Sequence, residues 1–216
     1  MEFLSDNWGL IQSAFLTTLS LAVVSGICAL VLGTVLAAMR VSPIPALRGL
    51  ATFYVELFRN TPLTVVFFFL IFGLVYVDLQ FPSRFIAAVA ALASYTAAFV
   101  CEALRSGINA VPAGQAEAAR ALGLDFRQSL TTVVLPQAFR TVVPPLGNVW
   151  IALAKNTSIA AGFAVSDLTA LLQRLANANA DQLLLIFAVV VVGYLVITLP
   201  SAWGISILER RLRIVR

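Results

Sequence analysis

From Ala14 to Met39 the chain carries no charged residue. Such a run exceeds the roughly 20 apolar residues that cross a bilayer as a helix. It is too long for a signal-peptide core, and Glu2 and Asp6, not a basic residue, precede it. In water an uncharged, mostly apolar helix of this length has no charged face to present. The expected solvent of the chain is therefore lipid.

Composition agrees. Of 216 residues, 61% are apolar and 11% charged, against about 45–50% and about 25% in soluble domains. Too few charges remain to cover a water-exposed surface, which excludes soluble globular and disordered classes. The absence of histidine removes imidazole-based metal sites, triads and proton shuttles. No glycine precedes a lysine, so no Walker A phosphate loop is present. Cys28 and Cys101 stand far apart in apolar runs and imply no disulfide framework.

Four further runs are long and apolar enough to span. The second covers Asn60 to Val77 and extends back through Tyr54. The third starts at Phe85 and passes Cys101 to end near Leu104. The fourth lies between Val142 and Val165 and contains Pro144, Pro145, Lys155 and Gly162. The fifth runs from Gln182 to Leu208 without charge. The expectation is an all-α polytopic membrane protein with five spans, at about 14–39, 54–77, 85–104, 142–165 and 182–208, and no soluble domain. Arg40, Arg48, Arg105, Arg120, Arg127, Arg140, Arg210, Arg211, Arg213 and Arg216 then share one side, ten of the fourteen basic residues. The positive-inside rule makes that side cytoplasmic. The N-terminus is expected outside and the C-terminus inside. The excess of basic residues reads as topology, not as nucleic-acid binding.

Spans 1 and 2 are joined by a turn at Ser42-Pro43-Ile44-Pro45. The segment between spans 3 and 4, about 107–141, is not loop-like. Gln115 to Leu122 is rich in Ala, Glu and Arg, good helix formers. Gly123 suits a helix C′ position. Asp125 and Gln128 form a capping-box pair for a second helix expected to stop at Pro136. Glu117 is expected near its helix N-terminus, where the dipole favours it.

One spacing in this segment is specific. Glu117-Ala118-Ala119, then three residues, Gly123, nine residues, and Val133-Val134-Leu135-Pro136 resembles the EAA loop of ABC importer permeases, E-A-A-x3-G-x9-I-x-L-P, with Val133 where Ile is usual. Arg59-Asn60-Thr61-Pro62-Leu63, Glu102-Ala103-Leu104-Arg105-Ser106-Gly107-Ile108, Leu135-Pro136-Gln137-Ala138 and Lys155-Asn156-Thr157-Ser158 resemble the polar amino acid permeases of the histidine/glutamine/arginine uptake type. The combination is most similar to the actinobacterial glutamate-uptake permeases of the C-type subunit.

The resemblance implies a type I ABC importer permease fold in a bacterial inner membrane, with transport and no catalysis on this chain. ATP and Mg belong to a cytoplasmic ABC ATPase dimer, so no cofactor or metal is expected here. A second permease subunit, identical or not, and an extracytoplasmic substrate-binding protein complete the assembly. The coupling residues implied are Gln115, Glu117, Ala118, Ala119, Gly123, Leu135 and Pro136.

Ionisable groups at membrane depth are functional suspects. Glu56 and Arg59 lie three apart, placed either to pair with each other or to meet substrate, and Pro62 beyond them is expected to kink the span. Lys155, with Asn156, Thr157 and Ser158, interrupts span 4, where a midplane site is expected. Lys155 either holds a substrate carboxylate, or snorkels, or pairs with Glu56 or Asp167. A permease for another polar amino acid of the same family is the alternative within this reading, and a stand-alone secondary carrier is the rival from another class. The carrier would need its own ion-coupling sites, and five spans do not divide into equal halves.

Overall fold

The computed structural model describes residues 2–212, and every regular element among them is helical. In order they are α1 (Glu2–Asp6), α2 (Trp8–Arg40), α3 (Pro45–Asn60), α4 (Leu63–Phe68), α5 (Arg84–Asn109), α6 (Ala113–Ala121), α7 (Phe126–Gln128), α8 (Leu135–Asn156), α9 (Leu168–Ala178) and α10 (Leu183–Leu212). Wide π turns occupy Phe69–Gly73 and Ser129–Val134, and tight 3-10 turns occupy Leu74–Val77, Thr157–Phe163 and Ala180–Gln182. Arg213 and Arg216, two of the basic tail residues, lie outside the described residues.

The longest helix buries mostly small residues and exposes large apolar ones, the reverse of a helix in a soluble bundle. On α2 the buried stripe is Ala14, Thr18, Leu21, Ala22, Ser25, Ala29, Gly33, Leu36 and Ala37. Val23, Ile27, Leu30, Val31 and Val35 point outward. Small residues let backbones approach closely, the packing mode of helices in lipid. At the α2–α5 crossing a Cβ on Gly33 would stand 2.6 Å from Val100 Cβ and 2.8 Å from the Ala97 carbonyl oxygen, so glycine is required there. Polar ties join the other helices. Thr141 Oγ1 donates to the Gly107 carbonyl (2.9 Å), linking α8 to α5. Trp150 Nε1 donates to Ser201 Oγ (3.1 Å), linking α8 to α10. The Leu168 amide donates to Thr18 Oγ1 (3.0 Å).

Among the described residues three helices are long and apolar enough to cross a membrane (Trp8–Arg40, Arg84–Asn109 and Ala180–Arg211), and five spans result if each of two bent pairs is one span. The first bent pair departs from the expected second span. α3 ends at Asn60, and the next helix leaves at 108°. The residue before a proline is pushed to extended backbone; Thr61 adopts φ −100°, ψ 131° and Pro62 follows at ψ 138°. Pro62 thus breaks the helix outright instead of kinking it. The 54–77 range straddles two differently directed elements.

Pro136 gives the second departure. The helix from Asp125 does not stop there but runs on through α8 to Asn156. The π turn at Ser129–Val134 shifts the hydrogen-bond register just before the proline, which then sits in the first turn of α8. A missing N–H costs little at such a position. Pro144 and Pro145 are likewise carried inside α8.

Candidate functional site: the helix–turn–helix knob and the α5–α8 groove

α6 is nine residues long and terminates in a two-bond Schellman cap. The Leu124 amide donates to the Ala119 carbonyl (3.2 Å) and the Gly123 amide to the Arg120 carbonyl (2.9 Å). That geometry needs a left-handed residue at C′, and Gly123 has φ +84°. The capping box forms as expected: the Gln128 amide donates to Asp125 Oδ1 (2.7 Å) and the Asp125 amide to Gln128 Oε1 (3.0 Å). Four residues, Leu122 to Asp125, join the two helices, held by the cap on one side and the capping box on the other.

Ala119 is the buried residue of α6, while Gln115, Glu117, Ala118 and Gly123 are exposed. Leu135 and Pro136, at the start of α8, are exposed as well. Glu117 does not sit at its helix N-terminus. It is the fifth residue of α6, and the first turn holds no acid. The dipole therefore offers it little, since that effect fades within one turn, and its carboxylate is free to meet a partner. Beside the Gly123 turn Leu122 is 83% and Phe126 79% exposed. Two apolar side chains this open on a polar knob mark a contact surface. The motif spacing did not single them out.

A groove of about 280 Å³ runs between α5 and α8, lined by Tyr95, Thr96, Phe99, Asn148, Val149, Ala152, Leu153 and Asn156. Of the sequence candidates, only Asn156 lines it. Thr157 is buried and donates to the Ala154 carbonyl (2.8 Å). Ser158 is half-buried, and Lys155 is exposed on the last turn of α8. Thr96 and Asn148 give the groove its other amide and hydroxyl. They escaped the sequence reading because isolated polar residues in apolar helices carry no pattern.

Neither of the ion pairs that the sequence offers as alternatives forms among the described residues. Glu56 is exposed and does not pair with Arg59. Arg59 turns instead toward Glu102 on α5 (3.7 Å), and its guanidinium lies 6.0 Å from the centre of the Phe99 ring. Glu102 also binds Arg105 (2.9 Å) and Arg40 at the end of α2. Lys155 meets neither Glu56 nor Asp167 in an ion pair among the described residues. Asp167 is buried as the N-cap of α9, accepting from the Ala170 amide (2.8 Å).

Residues 29–214 match the family of binding-protein-dependent transport system inner membrane components. The chain belongs to that family. This inner membrane component is 43% identical over 213 residues to the glutamate transport system permease protein GluC of Corynebacterium efficiens, covering 93% of each chain. It is 39% identical to the probable glutamine ABC transporter permease protein GlnM of Bacillus subtilis, covering 98% of this chain and 97% of that one. A crystal structure of an amino acid ABC transporter with histidines superposes with a TM-score of 0.89 at 31% identity, covering 96% of each chain. The fold is that of a type I ABC importer permease, and the homologues are transport subunits, not enzymes.

Proposed function

We propose that this chain is one of two membrane subunits of an ABC importer that carries a polar amino acid, glutamate foremost, into the cytoplasm. ATP hydrolysis occurs on a separate ATPase dimer that holds the nucleotide and Mg. The observation that carries the reading is the exposed α6–Gly123–α7 knob with its complete EAA spacing. Glu117, Ala118, Ala119 and Gly123 present the knob, with Gln115 at its entry and Leu135-Pro136 closing it. Leu122 and Phe126 supply the apolar contact. An external binding protein delivers substrate at the opposite end. There a recess of about 570 Å³ is lined in part by Phe72, Gln80, Ser83 and Arg84. Similarity to a glutamate permease supports the substrate, as does Lys155, a cation with no carboxylate partner among the described residues. Asn148 and Asn156 offer neutral polar contacts in the groove.

The test is uptake of labelled glutamate into proteoliposomes holding the full complex. Lys155→Met is expected to lower uptake at least about tenfold, the effect of losing one charge-assisted hydrogen bond of about 1.5 kcal/mol. Assembly and basal ATPase activity should persist, because the knob is untouched. Wild-type uptake in Lys155→Met would take the residue out of the pathway.

Orientation follows from the same proposal, with the knob and both Arg40 and Arg105 cytoplasmic. A cytoplasm-active reporter should work after Gly114 and after Arg216 and fail after Pro82. Activity at Pro82 would reverse the orientation or change the span count.

A further inference from the structure

α3 is an amphipathic helix with two unlike flanks. Its buried strip, Ala51 and Val55, packs on Leu36 and Ala37 of α2 and on Ala97, Ala98 and Cys101 of α5. On one side of that strip Leu50, Phe53 and Leu57 recur three and four apart, all exposed. On the other side stand Arg48, Thr52 and Arg59, with Arg48 and Arg59 eleven residues, close to three full turns, apart, and the exposed Glu56 at the edge of the same side, so the flank carries two arginines and one carboxylate. The next helix leaves at 108°. Arg40 is the last residue of α2 and Arg105 stands four residues before the end of α5, so the corner where Arg59 meets them lies at the end of the spanning helices, at the level of lipid headgroups.

At that level the charges do not balance. Three arginines, Arg40, Arg59 and Arg105, converge on the single carboxylate of Glu102, a surplus of two positive charges. Among the described residues no other carboxylate reaches these guanidiniums within 4.0 Å. Glu102 and Arg40 are mostly buried, with side chains 19% and 16% exposed. Arg59 and Arg105 remain half open, at 47% and 38%. Glu102 spends both carboxylate oxygens on Arg40 and Arg105, so Arg59 is held only at 3.7 Å and has donors to spare. A planar guanidinium pairs with phosphate oxygens through two parallel hydrogen bonds.

We propose that this corner binds the phosphate of an anionic phospholipid, with Arg59 and Arg105 as its ligands and Arg40–Glu102 as the fixed base. The site adjoins the substrate groove through Phe99, whose ring faces the Arg59 guanidinium, but takes no ligand from the groove or the knob, and it stands whichever solute is carried. A bound lipid would tie α3 to the ends of α2 and α5 and neutralise the surplus charge.

Native mass spectrometry of the intact complex in detergent tests this, with phosphatidylglycerol and phosphatidylcholine of identical acyl chains as probes. The wild type should retain phosphatidylglycerol in preference to phosphatidylcholine. R59Q/R105Q should lose about thirtyfold in affinity for phosphatidylglycerol, roughly fivefold for each charge removed. R59K/R105K should recover part of it. R210Q/R211Q, with the same loss of charge at the end of α10, should bind as wild type. Arg40–Glu102 survives in R59Q/R105Q, so the fold should hold, and an unchanged thermal melt would verify this. Equal losses in both glutamine pairs would reduce the effect to net charge and overturn the proposal. So would equal retention of the two lipids. Displacement of the lipid by millimolar inorganic phosphate or glutamate would assign the corner to small anions instead.

Discussion

Gly123→Val is expected to leave the protein in the membrane while releasing its ATPase. No atom lies within 4 Å of a Cβ at this position, so the effect is one of backbone conformation alone. Gly123 holds φ +84°, a region that costs an L-residue about 1–2 kcal/mol, and a β-branched residue suffers more. Escaping the strain means unwinding the last turn of α6 and giving up the bonds to the Ala119 and Arg120 carbonyls. Glu117 and Leu122 would then lose their common geometry. Gly123→Ala should weaken ATPase association about 5- to 30-fold, the range set by that strain, and Val should weaken it further. Asn visits the left-handed region readily, so Gly123→Asn should stay near wild type. Co-purification of the ATPase and transport-linked hydrolysis read the effect. Normal values for Gly123→Val would sink the docking role of the knob.

Glu102→Ala should damage the protein itself. Removing the carboxylate leaves three guanidiniums facing one another where α2, α3 and α5 converge. Breaking one side of a largely buried pair costs about 3–5 kcal/mol, and here two cations beyond the first lose their counter-charge. The expected outcome is a loss of about 3 kcal/mol or more, seen as reduced yield and a lower melting temperature in detergent. Arg59→Gln, at a half-exposed site, should cost no more than about 1 kcal/mol. Adding Arg40→Gln to Glu102→Ala should restore part of the stability, because the two residues are in contact and their effects do not add. A Glu102→Ala protein as stable as wild type would mean that solvent already screens the cluster.

Local chemistry was legible in the sequence, and long-range geometry was not. The uncharged run at Ala14–Met39 announces α2. Gly123 and the Asp125–Gln128 pair announce their cap and capping box, because each is decided within a few residues. Pro136 misled because the rule that proline ends a helix competes with a register change. The π turn at Ser129–Val134 has no sequence signature. Pro62 was recognised as a disruption, but the 108° bend depends on α3 finding the α2–α5 pair to lie against. Arg59 and Glu56 have the spacing of a helical pair, yet Arg59 is drawn away by Glu102 and the Phe99 face. Glu102 and Arg40 meet across 62 residues, a separation that no periodicity reveals. The groove residues Thr96 and Asn148 were invisible for a similar reason: their meaning comes from α8 lying antiparallel to α5.

The central claim is that this chain moves an amino acid only when a separate ATPase grips its α6–α7 knob. The most direct measurement compares labelled glutamate uptake in proteoliposomes with the complete complex and ATP, with the complete complex lacking ATP, and with this permease alone under a sodium or proton gradient. The account predicts uptake in the first case alone, abolished by Gly123→Val. Uptake by the permease alone on an ion gradient would contradict it and make the protein a secondary carrier.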